Sequence, residues 1–263
     1  MKRVARGDAQ RVDVDDLALR VWGVDRAAAG TPALVLVHGI GVSHRYLART
    51  HNALRDLTLA GRVAVLSVDL PGHGGLPKPH GDADVSRVAA ALGLALDRCG
   101  IEDAVLVGHS MGAQWVTELA RQRPALARGV VLIGPVADHR HRTAFAQARA
   151  LAVDTLREAP GTNVVVFTDY LRCGVPWYLR QLRHMLAYPI EDRVRDLPSP
   201  ILVVRGARDP VAGDAWCRRI ASAAPRGAST VVPGGAHVIQ DAQPRRLAAT
   251  LLSHAADLGL DAR

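Results

Sequence analysis

Lysine is almost missing from this sequence, with Lys2 and Lys78 the only two, so a formal net charge of +8 is carried by arginine. A nucleic-acid footprint needs basic residues gathered on one face or element. Here they are scattered, and pairs such as Arg218-Arg219 and Arg245-Arg246 fall in helical patterns beside acids. They read as a solvated surface, and nucleic acid is not an expected partner. Long apolar runs are missing too. Stretches such as Ala33–Val37 and 104–107 are far below the roughly 20 residues that a membrane-spanning helix needs. The opening Met1-Lys2-Arg3-Val4-Ala5-Arg6-Gly7 carries charge without an apolar stretch behind it, unlike a secretory signal, so the expected location is the cytoplasm.

Cysteine is sparse and badly spaced for chemistry. Cys99, Cys173 and Cys217 are odd in number, far apart and form no C-x-x-C pair, which argues against a zinc site or a disulfide framework. Each reads as a small buried or half-buried thiol. Asp138-His139-Arg140-His141 gathers ligand types, but the cation of Arg140 opposes a metal there, and a polar loop is the better reading. Neither a metal nor a cofactor is expected. Aromatic residues are few: four Trp, four Tyr and two Phe. A binding pocket is therefore expected to be lined mainly by aliphatics, with Trp177 as the candidate substrate-binding aromatic and Tyr170 or Tyr178 as others.

What is present is ordinary globular composition, 49% hydrophobic and 22% charged, in a length that fits one large α/β domain. Short aliphatic runs alternate with Gly/Pro-rich turns and Ala/Leu/Arg segments at helical spacing. Strands are predicted at Leu17–Trp22, Ala33–Val37, 63–68, 104–107, 130–133, 201–205 and 229–232. Those from Ala33 onward are continuously apolar, as parallel strands covered on both faces should be. Helices are predicted at 46–58, 85–99, Gly112–Gln122, 215–223 and Pro244–Asp257. The alternation means a doubly wound α/β sheet. One interval breaks it: 67 residues separate Ile133 from Ile201. Helices are expected there at 144–158 and 177–186, with breaks at Pro160-Gly161 and Gly174-Val175-Pro176. An excursion of this size is expected to lie over the carboxyl ends of the strands as a lid, where α/β sheets bind ligands.

Gly108-His109-Ser110-Met111-Gly112 follows a strand and precedes a helix. With 24 Gly and 8 Ser in the chain, composition alone gives roughly 0.07 occurrences of G-x-S-x-G, and the strand-to-helix placement is rarer still. A serine hydroxyl attacks only when exposed, oriented and next to a base, and such a turn supplies the exposure. His38-Gly39-Ile40-Gly41 ends another strand, so the amides of Ile40 and Met111 are the candidate donors to a developing oxyanion. The base and its orienting acid must come from later strand ends. His237, in Pro233-Gly234-Gly235-Ala236-His237, and Asp209, in Arg205-Gly206-Ala207-Arg208-Asp209-Pro210, both satisfy that condition. Asp138 is the reserve acid. His254 lies within the last helix, His109 is expected to point elsewhere, His38 to brace the oxyanion loop, and Asp214 to cap its helix.

From about Leu17 to the last helix the chain resembles the α/β-hydrolase superfamily, through His38-Gly-Ile-Gly41, Asp69-Leu-Pro-Gly-His-Gly74, Gly108-His-Ser-Met-Gly112, Gly206-Ala-Arg-Asp209 and Gly235-Ala-His237. The order Ser, Asp, His agrees with that family. The resemblance implies an eight-stranded, mostly parallel sheet with helices on both faces and a helical lid after the sixth strand. The domains are then 1–135 with 190–263 as core and 136–189 as lid. It also implies Ser110 as nucleophile, Asp209 as acid, His237 as base and the Ile40 and Met111 amides as oxyanion hole. Asp69–Gly74 matches a structural turn. Two departures concern only the subfamily: Ala242 stands where relatives often carry Glu, and the turn after Gly74 lacks a frequent serine. The expected function is cleavage of a carboxylic ester or lactone, with a small-molecule ester or related carbonyl compound as partner. Carbon–carbon bond hydrolysis, acyl transfer and cofactor-free haloperoxidase-like activity are alternatives on one fold. A non-catalytic ligand-binding protein is a fourth reading. One of the seven arginines in the 138–190 segment could meet an acidic substrate, although solvated helix-surface arginine is the commoner situation.

Overall fold

The computed structural model describes residues 9–24, 30–58, 63–140 and 142–260; the Met1–Gly7 segment and His141 discussed above lie outside them. The strands are β1 (Ala9–Val14), β2 (Leu17–Trp22), β3 (Ala33–Val37), β4 (Ala64–Asp69), β5 (Ala104–His109), β6 (Ala127–Ile133), β7 (Ile201–Gly206) and β8 (Gly227–Val232). They form one sheet in the order β1-β2-β4-β3-β5-β6-β7-β8. Pairing is parallel from β4 across to β8, and antiparallel for β1 with β2 and β2 with β4. The helices are α1 (His44–Leu57), α2 (Val85–Arg98), α3 (Gly112–Gln122), α4 (Ala144–Thr155), α5 (Pro160–Cys173), α6 (Val175–Ala187), α7 (Ile190–Arg193), α8 (Asp214–Ala223), α9 (Ile239–Ala242) and α10 (Pro244–Asp257). No described helix is long and apolar enough to cross a membrane.

The continuous apolar runs are explained by two cores. In β3, Ala33, Val35 and Val37 pack into one cluster with Leu92 of α2, Leu119 of α3 and Ile220 of α8. Leu34 and Leu36 point the other way, to Leu47 and Leu54 of α1 and Leu251 of α10. Side chains alternate across a strand, so a strand covered on both faces must be apolar throughout. Each such Val or Leu contributes about 1.5–3 kcal/mol on burial.

The edges depart from expectation. β1 escapes the apolar-run signal because its sequence, AQRVDV, alternates and buries only Val12 and Val14. β8 is not a covered central strand but the sheet's other edge, paired only with β7, and Val231 is 43% exposed. Within the excursion, Pro160-Gly161 does not break a helix; it starts α5. Proline fits a helix's first turn because the N–H it lacks has no partner there anyway. The break falls at Gly174, whose φ of 73° separates α5 from α6. Asp214 does not cap α8 either. Gly213 holds that position, and Asp214 pairs with Arg218 one turn on.

The strand order positions the site. From β3 the chain moves to β4 on one side and then returns to β5 on the other, so the carboxyl ends of β3 and β5 are neighbours whose loops diverge. Open α/β sheets bind ligands at such a switch point.

Candidate active site

Ser110 sits where β5 turns into α3, with φ 57°. That left-handed conformation is rare for a side chain larger than glycine and costs on the order of 1–3 kcal/mol. Its surroundings hold it there. The Ser110 amide donates to the Ile133 carbonyl at 2.9 Å. A Cβ on Gly108 would stand 2.2 Å from the Gly112 carbonyl oxygen, and one on Gly112 would stand 2.5 Å from that of Val37. Both glycines are thus required by close backbone packing, and the serine is lifted out of the turn.

Asp209, after β7, accepts with Oδ1 from the amides of Val211 at 2.7 Å and Ala212 at 3.0 Å. Its Oδ2 meets Nδ1 of His237 at 3.0 Å. Burial would raise the Asp209 carboxyl, but the charge and hydrogen bond of His237, with the Ala212 and Val211 amides, together outweigh it and hold the group below its ordinary range. Burial would likewise depress His237, yet Asp209 outweighs it, with help from Asp154 and Glu158, and the imidazole is raised. With Nδ1–H committed to Asp209, Nε2 is the free lone pair; among the described residues it has no hydrogen-bond partner. Ser110 and His237 line the same cavity, which is small, about 80 Å³.

Opposite them lies the β3 loop. None of the described hydrogen bonds uses the amide of Ile40 or Met111 as donor. The loop is fixed by two histidines whose tautomers follow from their partners. Nε2 of His38 accepts from the Leu70 amide at 3.0 Å, so Nδ1 carries the proton and donates to the Gly39 carbonyl at 2.7 Å. Nε2 of His109 faces the His237 carbonyl at 2.9 Å and must donate, so Nδ1 accepts from the Tyr46 hydroxyl at 2.6 Å. That hydroxyl in turn accepts from the Gly39 amide at 2.7 Å. One chain of hydrogen bonds thus joins the β3 loop to the His237 loop. Burial and the nearby His237 charge push His109 down to about 3, so it stays neutral. Asp69 is structural: it receives the indole N–H of Trp22 and the His44 amide.

The other sequence candidates fall elsewhere. Asp138 accepts from the Arg140 amide and lies beside His139, whereas the carboxylate on Nδ1 of His237 is that of Asp209. His254 lies beside Gly129. Trp177 is buried against Gly72 and is not among the cavity's lining residues, whereas Tyr170 and Tyr178 are. Sequence reasoning missed Tyr46 and the excursion's acids. Asp154 accepts from the His237 amide at 2.8 Å, and Glu158 from the Val238 amide at 2.9 Å. A signal existed: Asp154 stands in the last turn of α4, where a helix dipole disfavours negative charge and no basic residue compensates it.

The alpha/beta hydrolase family model matches residues 34–250. A dihydrolipoyllysine-residue acetyltransferase component of an acetoin cleaving system from Pseudomonas putida is 30% identical over 258 residues, covering 90% of this chain and 66% of that protein. A 2-(acetamidomethylene)succinate hydrolase from Mesorhizobium japonicum is 25% identical over 273 residues, covering 90% and 91%. The first curated relatives are matched over only 30% and 32% of their own length. Among solved structures, a thermophilic esterase from Thermogutta terrifontis superposes with a TM-score of 0.76 at 21% identity, covering 95% of this chain and 99% of that one.

Proposed function

The chain belongs to the α/β-hydrolase family, and from that premise we propose that it is a serine hydrolase cleaving a carboxylic ester or lactone through an acyl-enzyme on Ser110. The observation that carries this reading is His237, whose Nδ1 is bound to Asp209 while Nε2, in the cavity that Ser110 lines, has no partner among the described residues. Neutral His237 takes the Ser110 proton on Nε2 as Oγ attacks the carbonyl carbon. The amides of Ile40 and Met111 receive the oxyanion. As the tetrahedral intermediate collapses, the leaving alkoxide takes the proton from Nε2. Water then attacks the acyl carbon, gives its proton to Nε2, and the proton returns to Ser110 as the acid departs. The imidazolium formed at each stage is stabilised by Asp209. Each oxyanion donor lowers the barrier by about 2.7–4 kcal/mol.

Residues 136–189 act as the lid over a core of 1–135 and 190–263, supported by Tyr170, Tyr178 and Asp154 lining the cavity from α4–α6. At about 80 Å³ and ~10–15 Å³ for each water accommodated on that measure, the space suits a short acyl group. Acyl transfer to an acceptor other than water is the second reading, favoured by the name of the 30% identical Pseudomonas putida protein.

The test is hydrolysis of p-nitrophenyl esters from acetate to decanoate, with Ser110→Ala beside the wild type and fluorophosphonate labelling of both. Turnover peaking at a short chain, with turnover and labelling lost in Ser110→Ala, is the expected outcome. More than trace turnover by folded Ser110→Ala would defeat the assignment.

A further inference from the structure

A protein of net charge +8 would be expected to draw anions to its active site, yet among the described residues no arginine or lysine lines the cavity. Among the described lining residues the one carboxylate is Asp154. The seven arginines of the 138–190 segment are all outside the cavity. Arg142 pairs with Glu191 at 2.7 Å, Arg172 with Asp169 at 3.5 Å and Arg183 with Asp82 at 2.6 Å, while Arg157 donates to the Arg208 carbonyl at 2.7 Å. The negative side is reinforced from behind. Asp154 is buried with Oδ1 on the His237 amide, and Glu158 is held next to it on the Val238 amide. Asp209 accepts the Nδ1–H of His237 at 3.0 Å and does not line the cavity.

Resting on the hydrolase reading, we infer that the enzyme selects uncharged or cationic substrates and rejects those bearing a carboxylate or phosphate near the reacting carbonyl, with Asp154 as the specificity-determining residue. The physical reason is desolvation. An anion brought into this cavity loses its hydration and finds no countercharge. Asp154 adds repulsion in a region where water screens little. Rejection of the wrong charge by an unpaired like charge is an ordinary route to specificity. The same position favours the imidazolium that His237 becomes during turnover, so the carboxylate is compatible with catalysis while excluding anions.

The experiment compares p-nitrophenyl butyrate with the p-nitrophenyl monoester of succinate, which is similar in size but carries a terminal carboxylate. Binding is measured on Ser110→Ala by calorimetry and turnover on the wild type, each rate divided by the ester's own hydroxide-catalysed rate. We expect butyrate to be favoured at least 100-fold in kcat/KM and at least 30-fold in Kd. Asp154→Asn keeps an acceptor oxygen for the His237 amide and should shrink the preference about tenfold. Leu151→Lys, on the cavity wall one turn before Asp154, supplies the missing cation and should improve the anionic ester relative to butyrate at least tenfold. Equal binding and turnover of the two esters by unaltered Asp154 protein would overturn the inference. An unchanged preference in both Asp154→Asn and Leu151→Lys would also overturn it. Failure of the hydrolase reading looks different: no turnover of either ester, with the binding preference intact in Ser110→Ala.

Discussion

The two walls of the cavity are built on opposite principles. On the sheet side, Ser110 is held by backbone: the Ile133 carbonyl, two glycines with no room for a Cβ, and strands buried on both faces. On the excursion side, α4 and α5 are attached through buried acids. Asp154 and Glu158 grip the His237 loop, and Asp169 takes the Ser43 hydroxyl at 2.6 Å and Arg45 at 2.6 Å. The exposure of apolar residues follows the same division. β3 is buried throughout, whereas Phe145 and Leu156 of the excursion are 80% and 87% exposed. Apolar burial with a hydrogen-bonded ladder fixes atoms tightly, since interiors pack like crystals. The excursion leaves large apolar side chains in solvent, and a segment with fewer buried apolar contacts opens locally at lower cost. The proposed nucleophile is therefore on the rigid wall, and the residue proposed to choose among substrates is on the adaptable one.

Changes on the sheet side should damage rate most. Asp209→Asn keeps the shape but loses the charge that orients and supports His237, and kcat should fall about 10⁴-fold. Because the base works in its neutral form, activity is lost as pH falls through the His237 pKa. Burial depresses that pKa but Asp209 raises it further, so the acid limb of kcat/KM should lie above the ordinary histidine value of about 6.5. In Asp209→Asn the limb should move to lower pH; a limb that stays put would mean another group is titrating. Gly112→Ala drives a Cβ into the Val37 carbonyl, displacing the elbow, with turnover down at least ~100-fold and stability down about 1–3 kcal/mol by denaturant unfolding.

Smaller effects should come from the links between the walls. Tyr46→Phe removes the hydroxyl between the Gly39 amide and His109. Roughly tenfold should be lost from kcat, with KM little changed and stability down about 1–3 kcal/mol. An equal rise in KM without loss of kcat would mean that Tyr46 binds substrate rather than holding the loops. Asp169→Asn should lower stability by about 1–2 kcal/mol, since Arg45 is partly solvated. It should also speed hydrogen exchange in α5 while leaving β5 protected. Exchange that quickened equally in β5 would erase the contrast between the two walls.

Much of the rigid wall was legible in the sequence because its cause is local. A strand covered on both faces has to be apolar, and a turn that lifts a serine into a cavity needs glycine where backbones touch; both leave marks within five to seven residues. β1 and β8 were harder because edge strands are not required to be apolar, and α5 was obscured by a proline whose meaning depends on whether it stands first or inside a helix. The pairing of Asp209 with His237 was legible through chain order and strand ends, and the geometry joins those two residues at 3.0 Å. Asp154 carries only the faint mark of an uncompensated acid in a last turn, and Tyr46 and His109 carry none, since the three acquire their partners from groups 83, 7 and 128 positions away. The sequence by itself determined the alternation of strands and helices, the elbow and the types of residue available for catalysis. Only the tertiary structure decided which charges face the cavity, because a side chain's partner depends on loops that converge from distant positions. That convergence turned seven arginines outward and one aspartate in.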